Sequence, residues 1–376
     1  MEKNNLRAPF RYDIVGSFLR PQELKDARAE YGSGAISIDE LKEIEDRCIV
    51  RLIRKEKEIG LHAITDGEFR RQAWHLDFMW GFEGVAHTPT KTGLPFHGEQ
   101  AMIDDTYLVG RIRPRAHHPF VDHFRFVKQF EDENTVAKLT IPAPAQFYAQ
   151  MAMPFALANT KKVYSDLSLL REDLVSAYKA FIQEVYDAGC RNLQIDDCTW
   201  GMLVDDAAPK FFGTDVRGLE EVKRTHLLLN NAVLDGLPED LVVNTHVCRG
   251  NYHSTYANRG PYNRVAGYLL AKENVNAFYL EFDDERSGSF NALRGLAPGK
   301  KVVLGLVTTK SPVLEDKEVL KKRIQDAAQY VPLDQLYLSP QCGFASCEIG
   351  NKLTEEQQWA KISLVKETAE EVWKDA

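Results

Sequence analysis

Val243-Asn244-Thr245-His246-Val247-Cys248 reads as a short apolar strand that delivers a histidine and a cysteine two residues apart. Side chains two apart in an extended segment point to the same side, so His246 and Cys248 share a face. A neutral imidazole and a thiolate are two of the four ligands that zinc favours. Two further strand ends supply candidates for the rest: Phe278-Tyr279-Leu280-Glu281, and Leu336-Tyr337-Leu338-Ser339-Pro340-Gln341-Cys342-Gly343. The candidate metal set is therefore His246, Cys248, Glu281 and Cys342. Taken alone the pair has a plainer reading, a core thiol beside a hydrogen-bonded histidine; the placement of all four along the chain is what favours a metal.

The bulk composition narrows the class. A chain of 376 residues with 44% hydrophobic and 27% charged residues is long enough for one large domain or two ordinary ones. The net charge of −8 comes from interspersed acids and bases, so neither a nucleic-acid groove nor a polybasic membrane patch is expected. The segment Met1-Glu2-Lys3-Asn4-Asn5-Leu6-Arg7 has no apolar core of a signal, and no run approaches the roughly 20 apolar residues of a membrane span. A soluble, cytoplasmic protein is the expectation. Six cysteines are too few and too scattered for a disulfide scaffold of this length, leaving core packing or metal and redox chemistry.

Taken in order, the chain alternates. Strands are expected at residues 12–15, 61–65, 136–141, 192–195, 241–245, 277–281, 301–306 and 336–339. Between them lie helical stripes: one opened by Ser37 with Glu40 as a capping box and closed by Gly60, and one carried by Leu174, Tyr178, Phe181 and Val185 and ended by Gly189. Further helices are expected at 120–130, 219–234, 262–272 and 316–330, and a closing one at 355–373 behind Thr354 as its cap. Residues 69–118 break the pattern, mixing Trp74, Phe78, Trp80 and Phe82 with Gly, Pro and Thr, and read as a lid or excursion inserted after the second strand. Eight strands alternating with helices predict a single α/β domain over 1–376, a (β/α)8 TIM barrel with chemistry at the carboxyl ends of its strands. A doubly wound sheet would carry a Gly-rich phosphate turn after the first strand, which is absent here. The strand ends bear Ser17, Glu68, Asp196, His246, Cys248, Glu281, Lys310 and Cys342.

Five motifs in this order resemble the catalytic domain of cobalamin-independent methionine synthase, in the length of its short single-barrel bacterial members. They are Ile64-Thr65-Asp66-Gly67-Glu68, Leu193-Gln194-Ile195-Asp196-Asp197, Thr245-His246-Val247-Cys248, Leu280-Glu281 and Ser339-Pro340-Gln341-Cys342-Gly343, with Val15-Gly16-Ser17-Phe18 at the start. The resemblance implies catalytic zinc on His246, Cys248, Glu281 and Cys342. It also implies homocysteine held by Ser17, Glu68 and Asp196, with methyl-folate as donor. Three positions depart from the family. Met202 stands where an acidic pterin contact is expected, Tyr148 where an indole is expected, and Lys310 where a histidine is thought to protonate the departing folate.

The chemistry expected of these residues follows from their types. The ligands sum to three negative charges, so a divalent ion keeps an electron-rich site suited to delivering a nucleophile. Glu281 is the ligand expected to yield to a substrate thiol, because a carboxylate is the hardest partner beside two sulfurs. Glu68 and Asp196 suit an ammonium and Ser17 a carboxylate, while it is the resemblance that implies a donor-side place for Tyr148. Lys310 is the candidate acid, with donor-carboxylate binding or a solvated loop cation as alternatives. Adjacent His117 and His118 are poor ligands for one ion, Cys347 reads as a bystander, and Cys198 is a weaker alternative ligand. The small-molecule partners expected are homocysteine and a methyl donor. Competing readings are a zinc hydrolase, which two thiolates disfavour, and a non-catalytic thiol-binding barrel.

Overall fold

The computed structural model describes residues 6–376; of the segment read above for a targeting signal, residues 1–5 lie outside the described residues. The strands in chain order are β1 (Ala63–Ile64), β2 (Glu83–Thr88), β3 (Leu94–Phe96), β4 (Glu99–Ala101), β5 (Asp105–Arg113), β6 (Val136–Ala137), β7 (Leu139–Pro142), β8 (Asn192–Asp196), β9 (Val242–Val247), β10 (Ala277–Glu281), β11 (Lys301–Val307) and β12 (Leu336–Pro340). Six of them form one parallel sheet in the order β12-β11-β10-β9-β8-β7, and β1 pairs in parallel with β6. The sheet strands are buried nearly end to end, as parallel strands covered on both faces must be. Alternation divides their side chains: Phe278 and Leu280 join the main core, whereas Tyr279 joins Val303 and Tyr337 in a small cluster on the other face.

The expected first strand at 12–15 is reduced to one parallel bridge, Tyr12 to Leu338, with Asp13 N donating to the Leu338 carbonyl at 3.0 Å. The reason lies in Asp13, whose carboxylate accepts the N–H groups of Phe10 and Ile14 and so competes for the donors a longer ladder would use. Three residues past this segment, at Phe18, the backbone N–H donates to the Gly67 carbonyl at 3.1 Å. The expected strand at 136–141 is split at Lys138, whose N–H turns to the Ile64 carbonyl at 2.9 Å while its ammonium is buried beside Asp13.

Helix limits follow the sequence signals where caps are strong. The helix Ile38–Ile59 has the Ser37/Glu40 capping box and ends at Gly60 with φ +91°; Glu355–Val372 has a second box, between Thr354 and Gln357. The helix expected at 262–272 is instead a 3₁₀ turn, Tyr262–Arg264, and a short α turn, Leu269–Lys272, on either side of Gly267. Three helices of nine or more residues escaped the pattern, Gln22–Gly32, Pro144–Ala152 and Pro154–Val163, because each opens at or just behind a proline that reads equally as a turn. The segment 69–118 is also more regular than expected. It holds the helix Leu76–Trp80, an antiparallel β2–β5 pair and a β3–β4 hairpin. No helix among the described residues is long and apolar enough to cross a membrane.

Candidate metal centre

Parallel pairing brings the ends of β9, β10 and β12 to one edge of the sheet. Tyr279 lies opposite His246, so Glu281, the last residue of β10, stands level with Cys248, and Cys342 follows β12 by two residues. The ligand atoms of His246, Cys248, Glu281 and Cys342 all fall within 4.8 Å of one another, and all four residues are buried. The two sulfurs are 3.7 Å apart, close to the ~3.8 Å edge of a tetrahedron with metal–sulfur bonds of about 2.3 Å. Both ring nitrogens of His246 and Glu281 Oε2 are buried with no protein partner, while Glu281 Oε1 accepts the Arg249 N–H at 3.0 Å. Buried polar atoms rarely stay unpaired, so these orphaned atoms fit ligation of a cation. Without one, sulfur contacts and burial push both thiols well up: Cys248 through Cys198 first, and Cys342 through Cys248.

A cavity of about 440 Å³ adjoins the quartet. Ser17, Glu68 and Asp196 line it together with His246, Cys248 and Cys342, so six of the eight residues singled out for the site converge on one space. Glu68 sits at φ +61°, a strained left-handed conformation for a non-glycine residue. Its Oε1 is held by the Thr140 hydroxyl at 2.9 Å and by Arg71 at 3.2 Å, but Oε2 is buried and unpaired. Burial raises the Glu68 pKa against the pull of Arg71 and Arg20, and raises that of Asp196 further, with Glu68 adding repulsion. Two buried acids sharing a cavity present a site for a cation. Gly343 lets Ser17 in: a Cβ there would lie 1.8 Å from the Ser17 hydroxyl.

Tyr148 and Lys310 do not line the cavity. Tyr148 packs edge-on against His226, with its hydroxyl accepting from Arg171 at 3.4 Å. The Lys310 ammonium is buried rather than solvated, and has no hydrogen-bond partner. Cys198 lines the cavity in contact with Cys248, and Cys347 lines it away from the quartet. His117 is exposed and bound to Asp122 and Glu184, whereas both nitrogens of His118 are engaged, one by Phe78 and one by Phe120.

Several wall residues were not anticipated. Gln146, Ala149, Gln150 and Met153 line the cavity at helical spacing, and His75 joins them, held neutral by burial with its pKa lowered to about 3. Phe96 and its neighbours on the β3–β4 hairpin form part of the wall. That hairpin is tied across the site by His97 N to the Tyr256 carbonyl at 2.8 Å, and by Glu99 to His253 and Lys352, both at 2.8 Å. Met202 contributes an apolar surface. Asn251 donates to the Gly343 carbonyl at 2.7 Å and accepts from Asn351 at 2.9 Å, tying the loop after β9 to the one that carries Cys342.

Fold and site together define a parallel α/β protein whose buried His, Cys, Glu, Cys quartet can hold a soft divalent metal beside an acidic pocket. Comparison with known proteins gives the family. A model of the cobalamin-independent synthase catalytic domain matches residues 155–367. The uncharacterized protein YxjH of Bacillus subtilis is 41% identical over 372 residues, 98% of this chain and 96% of its own. A methionine synthase of Saccharolobus solfataricus is 22% identical over 88% of this chain and 86% of its own. A structure from Listeria monocytogenes, assigned as a vitamin-B12-independent methionine synthase, is 36% identical with a TM-score of 0.77, covering 98% of this chain and 99% of that one. The chain belongs to the cobalamin-independent methionine synthase family, and is an enzyme of its homocysteine methyltransferase type.

Proposed function

We propose that this protein is a zinc-dependent methyltransferase that forms methionine by methylating the thiol of homocysteine, working as one (β/α)8 domain over 1–376 with residues 69–118 as its lid. The observation that carries the reading is the shared cavity, lined by three of the quartet, His246, Cys248 and Cys342, and by Glu68 and Asp196. Barrel closure is supported by the parallel bridge of Tyr12 to β12 and the Phe18-to-Gly67 hydrogen bond. A reducing cytoplasm suits a site that depends on two thiolates.

Zinc, when bound by His246, Cys248, Glu281 and Cys342, supplies a Lewis acid that keeps a substrate thiol ionised near neutral pH. The residues of the chain do the rest. Glu68 and Asp196 take the ammonium, and the Ser17 hydroxyl takes the carboxylate. Of the four residues that would hold the metal, Glu281 would hold it least firmly, being the one oxygen donor beside two sulfurs. Apolar walls keep water from the thiolate. The donor implied by the family is 5-methyltetrahydrofolate, in polyglutamate form. The apolar surface at Met202, with Lys310 outside the cavity, favours a second donor class for comparison: a sulfonium, whose leaving group departs without a proton.

Metal analysis of the purified protein, combined with methyl transfer to homocysteine from methyl-folate and sulfonium donors, tests the reading. One zinc per chain and methionine formation are expected; thiol-independent hydrolysis, or no transfer from any donor, would overturn it. Glu68→Gln is expected to weaken homocysteine binding by about 10-fold or more, with metal content unchanged. In the wild type, affinity should fall as pH drops through the raised pKa values of Glu68 and Asp196, since only their ionised forms pair with an ammonium. Calorimetric titration at several pH values checks both; a parallel loss of metal in Glu68→Gln would assign the residue a structural role.

A further inference from the structure

Arg20 does not line the cavity, yet its guanidinium reaches three loops that do. The residue is 3% exposed, and it donates to five backbone carbonyls: Phe18 at 3.0 Å, Gly67 at 3.5 Å, Glu68 at 2.7 Å, Arg71 at 3.2 Å and Ala345 at 2.7 Å. Only its Nε is buried without a partner. Phe18 follows Ser17, the turn 67–71 carries Glu68, and Ala345 stands two residues beyond Gly343, so each tethered loop brings a residue to the cavity. The loops also hold one another, with the Phe344 N–H on the Ser17 carbonyl at 2.9 Å and the Ala345 N–H on the Ser17 hydroxyl at 3.4 Å. Gly67 and Glu68 are successive left-handed residues, at φ +63° and +61°, and the carbonyls of both accept from Arg20. Such backbone is strained at a non-glycine residue and persists only where its surroundings fix it. A planar fork of N–H donors, buried against that turn, is suited to do so.

We propose that Arg20 is a positioning residue for the amino-acid end of the site: its guanidinium fixes the strained turn that presents Glu68 to the substrate ammonium, and ties that turn to the loops of Ser17 and Gly343. The inference rests on the homocysteine reading proposed above, and Arg20 acts through Glu68 rather than on the substrate. Its charge works in the same direction. Burial lowers the Arg20 pKa to about 10, so the group stays charged near neutral pH. Around Glu68, Arg71 at 3.2 Å and then Arg20 favour the carboxylate, whereas burial and the charges of Asp66, Asp196 and Cys347 oppose it. Without the Arg20 charge more of Glu68 is protonated at a given pH, and a protonated acid cannot pair with an ammonium.

The test uses the metal-loaded protein and L-methionine, the product of the proposed reaction, whose ammonium and carboxylate need the same residues but whose thioether has no proton to lose. Calorimetric titration at several pH values compares wild type, Arg20→Met, Arg20→Lys, Glu68→Gln and the double variant Arg20→Lys/Glu68→Gln. Arg20→Met should bind methionine about 10-fold more weakly near neutral pH, and the pH below which binding fails should rise by about one unit. Arg20→Lys keeps the charge and loses the fork, so that pH should stay in place while affinity falls about 3- to 10-fold. In the Glu68→Gln background the loss from Arg20→Lys should shrink by about 3-fold or more, because the two residues act together. This last comparison decides the matter even if Arg20→Met does not fold. A profile of Arg20→Met that is unchanged, or weaker by one factor at every pH, overturns the inference and leaves the homocysteine reading in place, as do independent losses in the double variant. Wild-type protein that binds no methionine at any pH sinks that reading, and the inference with it.

Discussion

Cys248→Ala will abolish methyl transfer and lower metal affinity by more than about 100-fold, since even loss of an outer partner to a metal ligand commonly costs 10- to 100-fold. Cys248 is central to the quartet: its sulfur lies 3.7 Å from that of Cys342, and it also accepts the Gly250 N–H at 3.3 Å. Its removal leaves His246 with both nitrogens still unpaired and Cys342 without its sulfur neighbour, so the remaining ligands have one soft donor instead of two. Cys347→Ala is the matched control. Cys347 also lines the cavity, yet stands outside the quartet, and its variant should retain metal. Mass-spectrometric metal content per chain, read with near-ultraviolet circular dichroism to establish folding, decides the matter. Full metal in Cys248→Ala, or equal loss in both variants, would remove the quartet from the reading.

The quartet was legible in the sequence because strands impose a period of two and parallel strands gather their carboxyl ends. His246 and Cys248 follow from the first rule, and Glu281 and Cys342 from the second. The donor side was not legible in the same way. Tyr148 was placed there by the family resemblance, but Pro144 opens a helix in which Gln146, Ala149 and Gln150, with Met153 at its C-cap, line the cavity and residue 148 falls out of phase. Once that helix is known, its period picks out Gln146 and Gln150. The segment 69–118 hid its order for another reason. β5 alternates, with Thr106, Leu108 and Ile112 buried, but Gly84 and a shift in register between Glu83 and Val85 interrupt its partner. Lys310 lies in the loop that leaves β11, yet no local pattern shows that its ammonium is buried outside the cavity.

Lys138→Met is expected to destabilise the fold by about 3 kcal/mol, the lower part of the range for breaking a buried ion pair by removing one partner. Lys138 and Asp13 meet at 3.1 Å with side chains 1% and 0% exposed, and the ammonium also donates to the Ile14 carbonyl. The lower value follows because Asp13 would keep the Tyr279 hydroxyl at 2.7 Å and the N–H groups of Phe10 and Ile14. The pair pins the segment that bridges β12 to the residue that splits β6 from β7, so its loss loosens two parts of the chain together. A consequence for the site follows from charge. Lys138 is one of the cations that hold down the pKa of Asp196, so Lys138→Met should also weaken homocysteine binding near neutral pH without removing metal. Chemical denaturation should show a lower midpoint at unchanged slope. The double variant Lys138→Met/Asp13→Leu should recover part of the loss, because apolar replacement of both partners leaves no charge unpaired. A loss below about 1 kcal/mol in the single variant would mean that water reaches this pair, and that the junction of the first segment with the sheet is held by packing alone.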